Sequence, residues 1–469
     1  MNTSPGSACL LPPSSDPAGE RAAVAGSPAG RRAWAVWGAG VCIYLVAVFH
    51  RNSLGVAGII AAHRFGIGAS QLAAFAVLQL VVYAGMQIPV GLLADRYGPR
   101  RLLTCGLVLM TVAQLAFALS ASFPAALAAR ALLGCGDALT FVSVLRLITA
   151  WFPARRAPLV TQLTGFVGTA GNLAGAYPLS VALRDFGWTP TYAAAALTGA
   201  CALVLPLTVI RNRPGGGGAG PGASGLGGSA EPLSSDAVRE PRQPIRAQLR
   251  EGWAEPGTRL GFWVHFTTPF AGGVFAMLWG FPFLVQGEGL SSGTAGVLLT
   301  VMIAEAMVLG PVYGTLTGRR PDLRLALVGA VTVLMAAAWA AVLLWPGRAP
   351  LWLLVLLVAA LGTGGSASLV GFEIARSVNP AHRTGTASGM VNVGGFSAMV
   401  ALLLAIGWIL DAHGSDSAGH YSLSAFKAAF AAQYLLFGLG ATQMVRLARR
   451  VRAAERARVV RAVAAAVAP

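Results

Sequence analysis

Apolar runs of helix length follow one another along most of this chain, and nearly all of its charges are confined to the stretches between them. The runs cover approximately residues 34–60, 69–93, 102–121, 124–152, 159–183, 191–210, 260–285, 295–313, 323–344, 351–375, 384–410 and 426–445. Each is close to or above the length, about 20 residues, that carries an α-helix across a bilayer core. A backbone inside lipid must satisfy its own hydrogen bonds, and continuous apolar runs of this length do so as helices. Composition agrees, since 55% of residues are hydrophobic and only 11% charged, where a soluble domain carries about a quarter. The expected fold is an all-α membrane protein with twelve transmembrane helices.

A formal charge of +17 would suit nucleic acid on a soluble surface, but its placement excludes that partner. Arg31 and Arg32, Arg96 to Arg101, Arg155 and Arg156, the stretch from Arg211 to Arg259, Arg319 to Arg324, Arg376 and Arg383, and the tail from Arg446 to Arg461 recur after every second run. The alternate loops are short or carry Asp185, Glu288, Asp411 and Asp416. Basic residues gather on the cytoplasmic side of a membrane. The pattern therefore predicts a multi-pass protein of a bacterial-type inner (plasma) membrane with both termini cytoplasmic, its inner face set against anionic lipid headgroups.

Five cysteines (Cys9, Cys42, Cys105, Cys135, Cys201) show no metal or disulfide spacing, and four fall inside runs, where cysteine packs as a small apolar residue. Residues 1–30 are rich in Pro, Gly, Ser and Ala and lack a signal peptide's apolar stretch, so a disordered cytoplasmic tail is expected. Residues 212–258, with the run Arg213-Pro214-Gly215-Gly216-Gly217-Gly218, predict a flexible cytoplasmic linker. Within it, 245–253 has the pattern of a short interfacial amphipathic helix, and 447–469 that of a basic cytoplasmic tail lying on the surface.

The most specific local feature is Gly91-Leu92-Leu93-Ala94-Asp95-Arg96-Tyr97-Gly98-Pro99-Arg100-Arg101, with a weaker copy, Gly314-Thr315-Leu316-Thr317-Gly318-Arg319-Arg320, in the second half. Residues 91–101 resemble the loop between helices 2 and 3 of the major facilitator superfamily, Gly-x-Leu-Ala-Asp-Arg-x-Gly-Arg-Arg, with Pro99 where a basic residue is commoner. The resemblance spans roughly 34–446. It implies two six-helix bundles, 31–211 and 259–446, rocking as a monomer about a central site. It also implies that Asp95 bonds to the start of helix 11, whose N-terminal dipole favours an anion. Gly91, Asp95, Arg96, Arg100 and Arg101 would then form an inner gate, joined by Arg146. Arg130 belongs with them through Arg130-Ala131-Leu132-Leu133-Gly134, which is similar to the family's helix 4 motif. Gly318 stands where Asp95 would be repeated, so a carboxylate latch is expected to be stronger in the first half.

Ionisable groups at membrane depth are costly and so mark function. Arg51 lies 17 residues past Trp34, about 25 Å along a helix. His50-Arg51-Asn52-Ser53 resembles a step in the superfamily's organic-anion/proton symporter branch, which implies an anion clamp at Arg51. A guanidinium offers donors matched to carboxylate oxygens. Pairing with Asp137, or reaching out to the interface, is the alternative. Asp137 and Glu305 are the candidate proton-coupling groups, because burial favours a protonated carboxyl; Asp137 equally suits a permanent partner of Arg51 or Arg130. His50, Gln79, Tyr83, Asn172 and Asn392 are candidate substrate contacts, with Gln79, Tyr83 and Gln87 on one helix face. Asn172 and Asn392 weakly resemble the asparagine-glycine segments of nitrate porters. Those porters carry arginines on helices 2 and 8, where this chain has Gln79, Gln87 and Glu305, so nitrate itself is not expected.

There is no phosphate-binding glycine-lysine loop and no zinc spacing, so the chain is expected to be no enzyme and to need no metal or cofactor. The expected function is secondary active transport of a small solute, an organic anion, by proton-coupled alternating access. The rival is proton-coupled efflux of a lipophilic or cationic drug-like compound.

Overall fold

The computed structural model describes residues 30–54, 57–67, 69–214, 244–414 and 421–467; the expected N-terminal tail and the glycine-rich part of the linker lie outside the described residues. The architecture is carried by α1 (Arg31–Asn52), α2 (Ala69–Tyr97), α3 (Pro99–Leu119), α4 (Phe123–Trp151), α5 (Ala157–Phe186) and α6 (Trp188–Thr208) in the first half. The second half supplies α7 (Pro256–Gly287), α8 (Ser292–Arg319), α9 (Arg324–Leu343), α10 (Leu351–Val378), α11 (Thr384–His413) and α12, which runs as Leu423–Ala431 and then Gln433–Val467. Among the described residues, 11 helical segments are long and apolar enough to cross a membrane, by length and composition; α5, with 30 residues, is not one of these 11. Large apolar side chains point outward in stripes, such as Val108, Val112, Leu115 and Leu119 on α3. A face of that kind has lipid for its solvent, and the chain is a multi-pass helical membrane protein.

The two halves repeat one packing plan. Helix α1 lies on α5 as α7 lies on α11, α2 on α4 as α8 on α10, and α3 on α4 as α9 on α10. Between halves, α2 packs along α11 and α5 along α8. Close approach within a half is made by missing side chains: a Cβ on Gly106 of α3 would lie 2.8 Å from the Gly136 carbonyl of α4. Small residues bring membrane helices together in this way, where dispersion replaces a hydrophobic driving force.

Three boundaries depart from the sequence expectation. Helix α1 stops at Asn52 rather than near residue 60, and a separate helix, Gly58–Phe65, follows. The stop has identifiable causes, because side chains take the carbonyls that another turn would use. Ser53 Oγ donates to His50 O at 2.8 Å, and Arg130 donates to His50 O at 3.3 Å and to Arg51 O at 2.8 Å. Helix α7 begins at Pro256, inside the expected linker, and is not uniform. Pro269 brings no N–H to it, and its turns widen to π-helix at Phe275–Trp279 and Phe283–Gly287. The helix expected at 245–253 is present as Ile245–Ala254, tied to the start of α11 by a Glu251–Arg383 ion pair of 2.7 Å. Finally, the basic tail continues α12 to Val467 instead of lying apart as a surface helix. Met444, Leu447 and Val451 hold it against Leu260 and Val264 of α7.

Candidate substrate cavity and gate

One face of α2 organises the meeting of the halves. Asp95, Gly91, Gln87 and Tyr83 recur at intervals of four, which puts them in a row along one side of a helix, and each meets α11 in turn. Asp95 accepts from the backbone N–H of Gly385 (2.9 Å) and Thr386 (2.7 Å) and from the Thr386 hydroxyl (2.8 Å). These are the unpaired amides at the N-terminus of α11, where the helix dipole favours a carboxylate. Arg146 of α4 donates to Asp95 from the other side at 3.2 Å. One turn up, Gly91 has no side chain because a Cβ would sit 2.5 Å from the Gly385 carbonyl. Next, Asn392 Nδ2 donates to Gln87 Oε1 at 2.7 Å, and above that the Tyr83 and Phe396 rings meet at 4.6 Å between centroids.

The second hinge meets α5 without a carboxylate. A Cβ on Gly314 would lie 2.8 Å from Leu159 Cα, and one on Gly318 would lie 2.7 Å from the Arg155 carbonyl. Gln162 of α5 crosses to α10, its Nε2 donating to Ser366 O at 2.8 Å. The contacts at Asp95, Gly91, Gly314 and Gly318 lie toward the end of the molecule where the linker enters.

Above them is a cavity of about 240 Å³ built from both halves. Tyr44 and Arg51 of α1, Tyr83 of α2, Phe141 of α4, Gln162 and Phe166 of α5, His265 of α7, Ser366 of α10, and Asn392 and Phe396 of α11 line it. Arg51 is the one formally charged side chain among the described residues of that lining. Asp137 of α4, wholly buried beside it, accepts from Arg51 Nε at 2.6 Å and from Nη2 at 2.8 Å. This two-point geometry is the strong form of an arginine–carboxylate pair. It leaves the Nη1 end of the guanidinium outside the pair, and the Arg51 side chain stays 22% exposed. The Tyr83 ring lies under the guanidinium, 4.8 Å from its carbon.

A family model described as Major Facilitator Superfamily matches residues 40–403. The chain belongs to that superfamily. This facilitator is 26% identical over 351 residues, 67% of its own length and 59% of the relative's, to an uncharacterized MFS-type transporter of Mycobacterium tuberculosis. It is 36% identical over 120 residues to a quinolone resistance transporter of Acinetobacter baumannii, covering 24% of this chain and 26% of that one. It is 28% identical over 120 residues to a nitrate/nitrite transporter of a Picosynechococcus species, covering 26% of this chain and 22% of that one. The facilitator thus spans less than two thirds of the length of each of these relatives.

The structure brings some of the sequence candidates together and separates others. Arg51, Tyr83 and Asn392 line the cavity. His50 does not: it is fully buried, with Nε2 3.0 Å from Ala195 O and 3.2 Å from Thr198 Oγ1, turned toward α6. One residue along a helix is a rotation of about 100°, and Arg51 has the inward face. Gln79 also turns away, accepting from Arg130 at 2.6 Å. The Asn172 side chain lies outside the described residues. Arg130 is not at the gate with Asp95 and Arg146; it is buried at the C-terminus of α1, where its guanidinium caps carbonyls and lies 5.3 Å from the Phe117 ring centroid. Arg100 holds the end of α6, donating to Pro206 O (2.7 Å) and Leu207 O (2.6 Å), rather than reaching across to the second half. Arg96 and Arg101 are exposed, Arg96 beside the Tyr97 ring.

Glu305 faces α10, so close to Gly362 that a Cβ there would collide with its carboxylate, and its buried Oε2 has no hydrogen-bond partner. It is not part of the cavity lining, although Ala306 and Gly310 of the same helix are. Gln162, an amide in an apolar run, carries the same sequence signal as Gln79. The aromatic lining residues Tyr44, Phe141, Phe166 and Phe396 carried none, because a ring facing a cavity and a ring facing lipid look alike in sequence.

Proposed function

We propose that this facilitator is a secondary active transporter that moves a small organic anion by proton-coupled alternating access, with Arg51 as the anion clamp and Asp137 or Glu305 as the proton carrier. It works as a monomer in the inner (plasma) membrane of a bacterial-type cell. Its two six-helix bundles cross twelve times, α5 included, and both termini are cytoplasmic. The linker end is then the inner face, and Gly91, Asp95 and Arg146 belong to its gate. The observation that carries the anion reading is the charge of the lining: the cavity presents a guanidinium and no carboxylate, since Asp137 lies behind Arg51 and Glu305 faces α10. A cation site needs the reverse arrangement.

Coupling follows from the ion pair. While Asp137 is ionised, it holds two of the three nitrogens of Arg51. A proton on Asp137 weakens that hold and frees the fork for a substrate carboxylate, and a departing anion returns Arg51 to Asp137, which releases the proton. Leaving either buried partner alone costs about 3–5 kcal/mol, so proton and anion are carried together or not at all. The efflux reading retains one observation in its favour, the unpartnered Glu305 Oε2, which suits a cation approaching along α8.

A thermal-shift screen of purified protein against small carboxylates and cationic drugs separates the two. Carboxylates are expected to stabilise the protein, more at acidic pH, and to lose that effect in Arg51→Ala. The double variant Arg51→Ala/Asp137→Asn leaves no unpaired charge and should be equally unresponsive. Stabilisation by cations alone would overturn the anion reading.

A further inference from the structure

Beyond its one guanidinium, the cavity is walled by rings. Tyr83 packs on Phe396 at 4.6 Å and 56°, which places one aromatic pair across the α2–α11 interface. On α1 and α4, Tyr44 packs on Phe141 at 5.2 Å and 41°. Phe166 of α5 also lines the cavity, is 37% exposed and makes no ring contact among the described residues. An aliphatic or inorganic anion would use Arg51 and leave these faces unmatched. The remaining wall is polar without being charged. His265 has Nδ1 3.3 Å from Ser368 O and shares a side-chain hydrogen bond with Asn392, and glycine at 395 leaves its ring uncrowded, since a Cβ there would lie 2.9 Å from Nε2. Gln162 gives its Nε2 to Ser366 O, so its carbonyl end is the part outside that bond.

Size narrows the choice further. An apolar cavity of about 150 Å³ is enough to take benzene, and this one measures about 240 Å³. The difference accommodates a carboxylate and one small substituent on a single ring. A three-atom acid or nitrate would leave most of the space to water.

We propose that the substrate is a monocyclic arenecarboxylate. Its carboxylate takes the fork of Arg51 that a protonated Asp137 frees, approaching from the Nη1 side, its ring lies among Phe166, Phe141 and the Tyr83–Phe396 pair, and a polar ring substituent faces His265 and Gln162. This rests on the anion reading of Arg51 and adds the identity of what the anion is attached to.

The test compares matched acids on the purified full-length protein by isothermal titration: benzoate, 4-hydroxybenzoate, cyclohexanecarboxylate, acetate and nitrate, with benzylamine as the cationic counterpart. Benzoate is expected to bind about tenfold tighter than cyclohexanecarboxylate, because ring–ring contacts add to burial of equal area, and 4-hydroxybenzoate should bind at least as tightly as benzoate. In Phe166→Leu, and separately in Phe396→Leu, the benzoate-to-cyclohexanecarboxylate ratio should fall to about twofold; using two variants guards against one that fails to fold. Equal binding of the two six-membered acids, or nitrate binding as tightly as benzoate, overturns the ring proposal and leaves the anion reading standing. Binding of benzylamine with no carboxylate bound overturns both.

Discussion

The two hinge copies join the halves by different physics. At the end of α2 a carboxylate does it, with Asp95 taking three donors at the start of α11 and a fourth from Arg146. At the end of α8 the joint is made by absent side chains, Gly314 and Gly318 lying flat against α5 and the turn before it. The acid missing from the second copy stands on α10 as Glu373. There it accepts from Thr317 at 3.3 Å and faces Arg324 at 3.2 Å, an ion pair without hydrogen-bond alignment. All three of those residues belong to the second half, so the pair holds that half together and does not span the gate. When the halves part, the first hinge leaves Asp95 with Arg146 alone and two helix-terminal amides without partners, while the second gives up dispersion contacts and the Gln162–Ser366 hydrogen bond. In the proposed alternating access, the free-energy difference between closed and open is therefore expected to reside mainly at the first hinge.

The largest effect is expected where that hinge allows no relief. In Gly91→Val, the new Cβ meets the Gly385 carbonyl at 2.5 Å and Thr386 Cα at 2.9 Å, both backbone atoms, so no rotamer change resolves the clash. Overpacking of this kind costs about 3 kcal/mol, more than a hundredfold in the closed population. A cysteine at Ser388, a buried position at this end, placed in a protein without its native cysteines, should become readily alkylated, and transport should be lost. Unchanged alkylation would show that α2 and α11 do not need this approach to close. Asp95→Asn comes next. It keeps the shape and removes the charge, and hydrogen bonds to a charged group contribute about 1.5–3 kcal/mol. The closed form should lose roughly tenfold to a hundredfold of its advantage, read by the same alkylation rate. A rate equal to that of the parent would mean that Asp95 decorates the gate without holding it.

What was legible in the sequence divides along the same physical line. Helices and hinge could be read because run length and an unusual charge are local properties. Arg51 could be read because a cation inside an apolar run demands a reason. Which neighbour shares its face could not, because the rotation of a membrane helix about its axis is set by packing; hence His50, adjacent in sequence, turns to α6. Arg130 was assigned to the gate on a motif, yet nothing in the motif says which end of α4 holds it. The early stop of α1 depends on donors from Arg130, some 80 positions away, which no window along the chain contains. The lining rings and Gln162 follow the same rule, since they became a site only when α1, α4, α5 and α11 were set side by side.

Gly318→Ala is the smallest predicted effect and the one that tests the asymmetry most directly. The added Cβ would lie 2.7 Å from the Arg155 carbonyl, a contact nearly as short as the one at Gly91. The difference is in what it meets. Arg155 lies in the turn between α4 and α5, exposed and outside any helical ladder, whereas Gly385 belongs to the first turn of α11 and donates to Asp95. A turn carbonyl can tilt by the few tenths of an ångström required, so the cost should stay near 1 kcal/mol, the low end for overpacking, or about fivefold in the closed population. Alkylation at position 388 should therefore rise only slightly in Gly318→Ala. If it rises as far as in Gly91→Val, the two joints bear equal load, and the concentration of gating free energy at Asp95 is wrong.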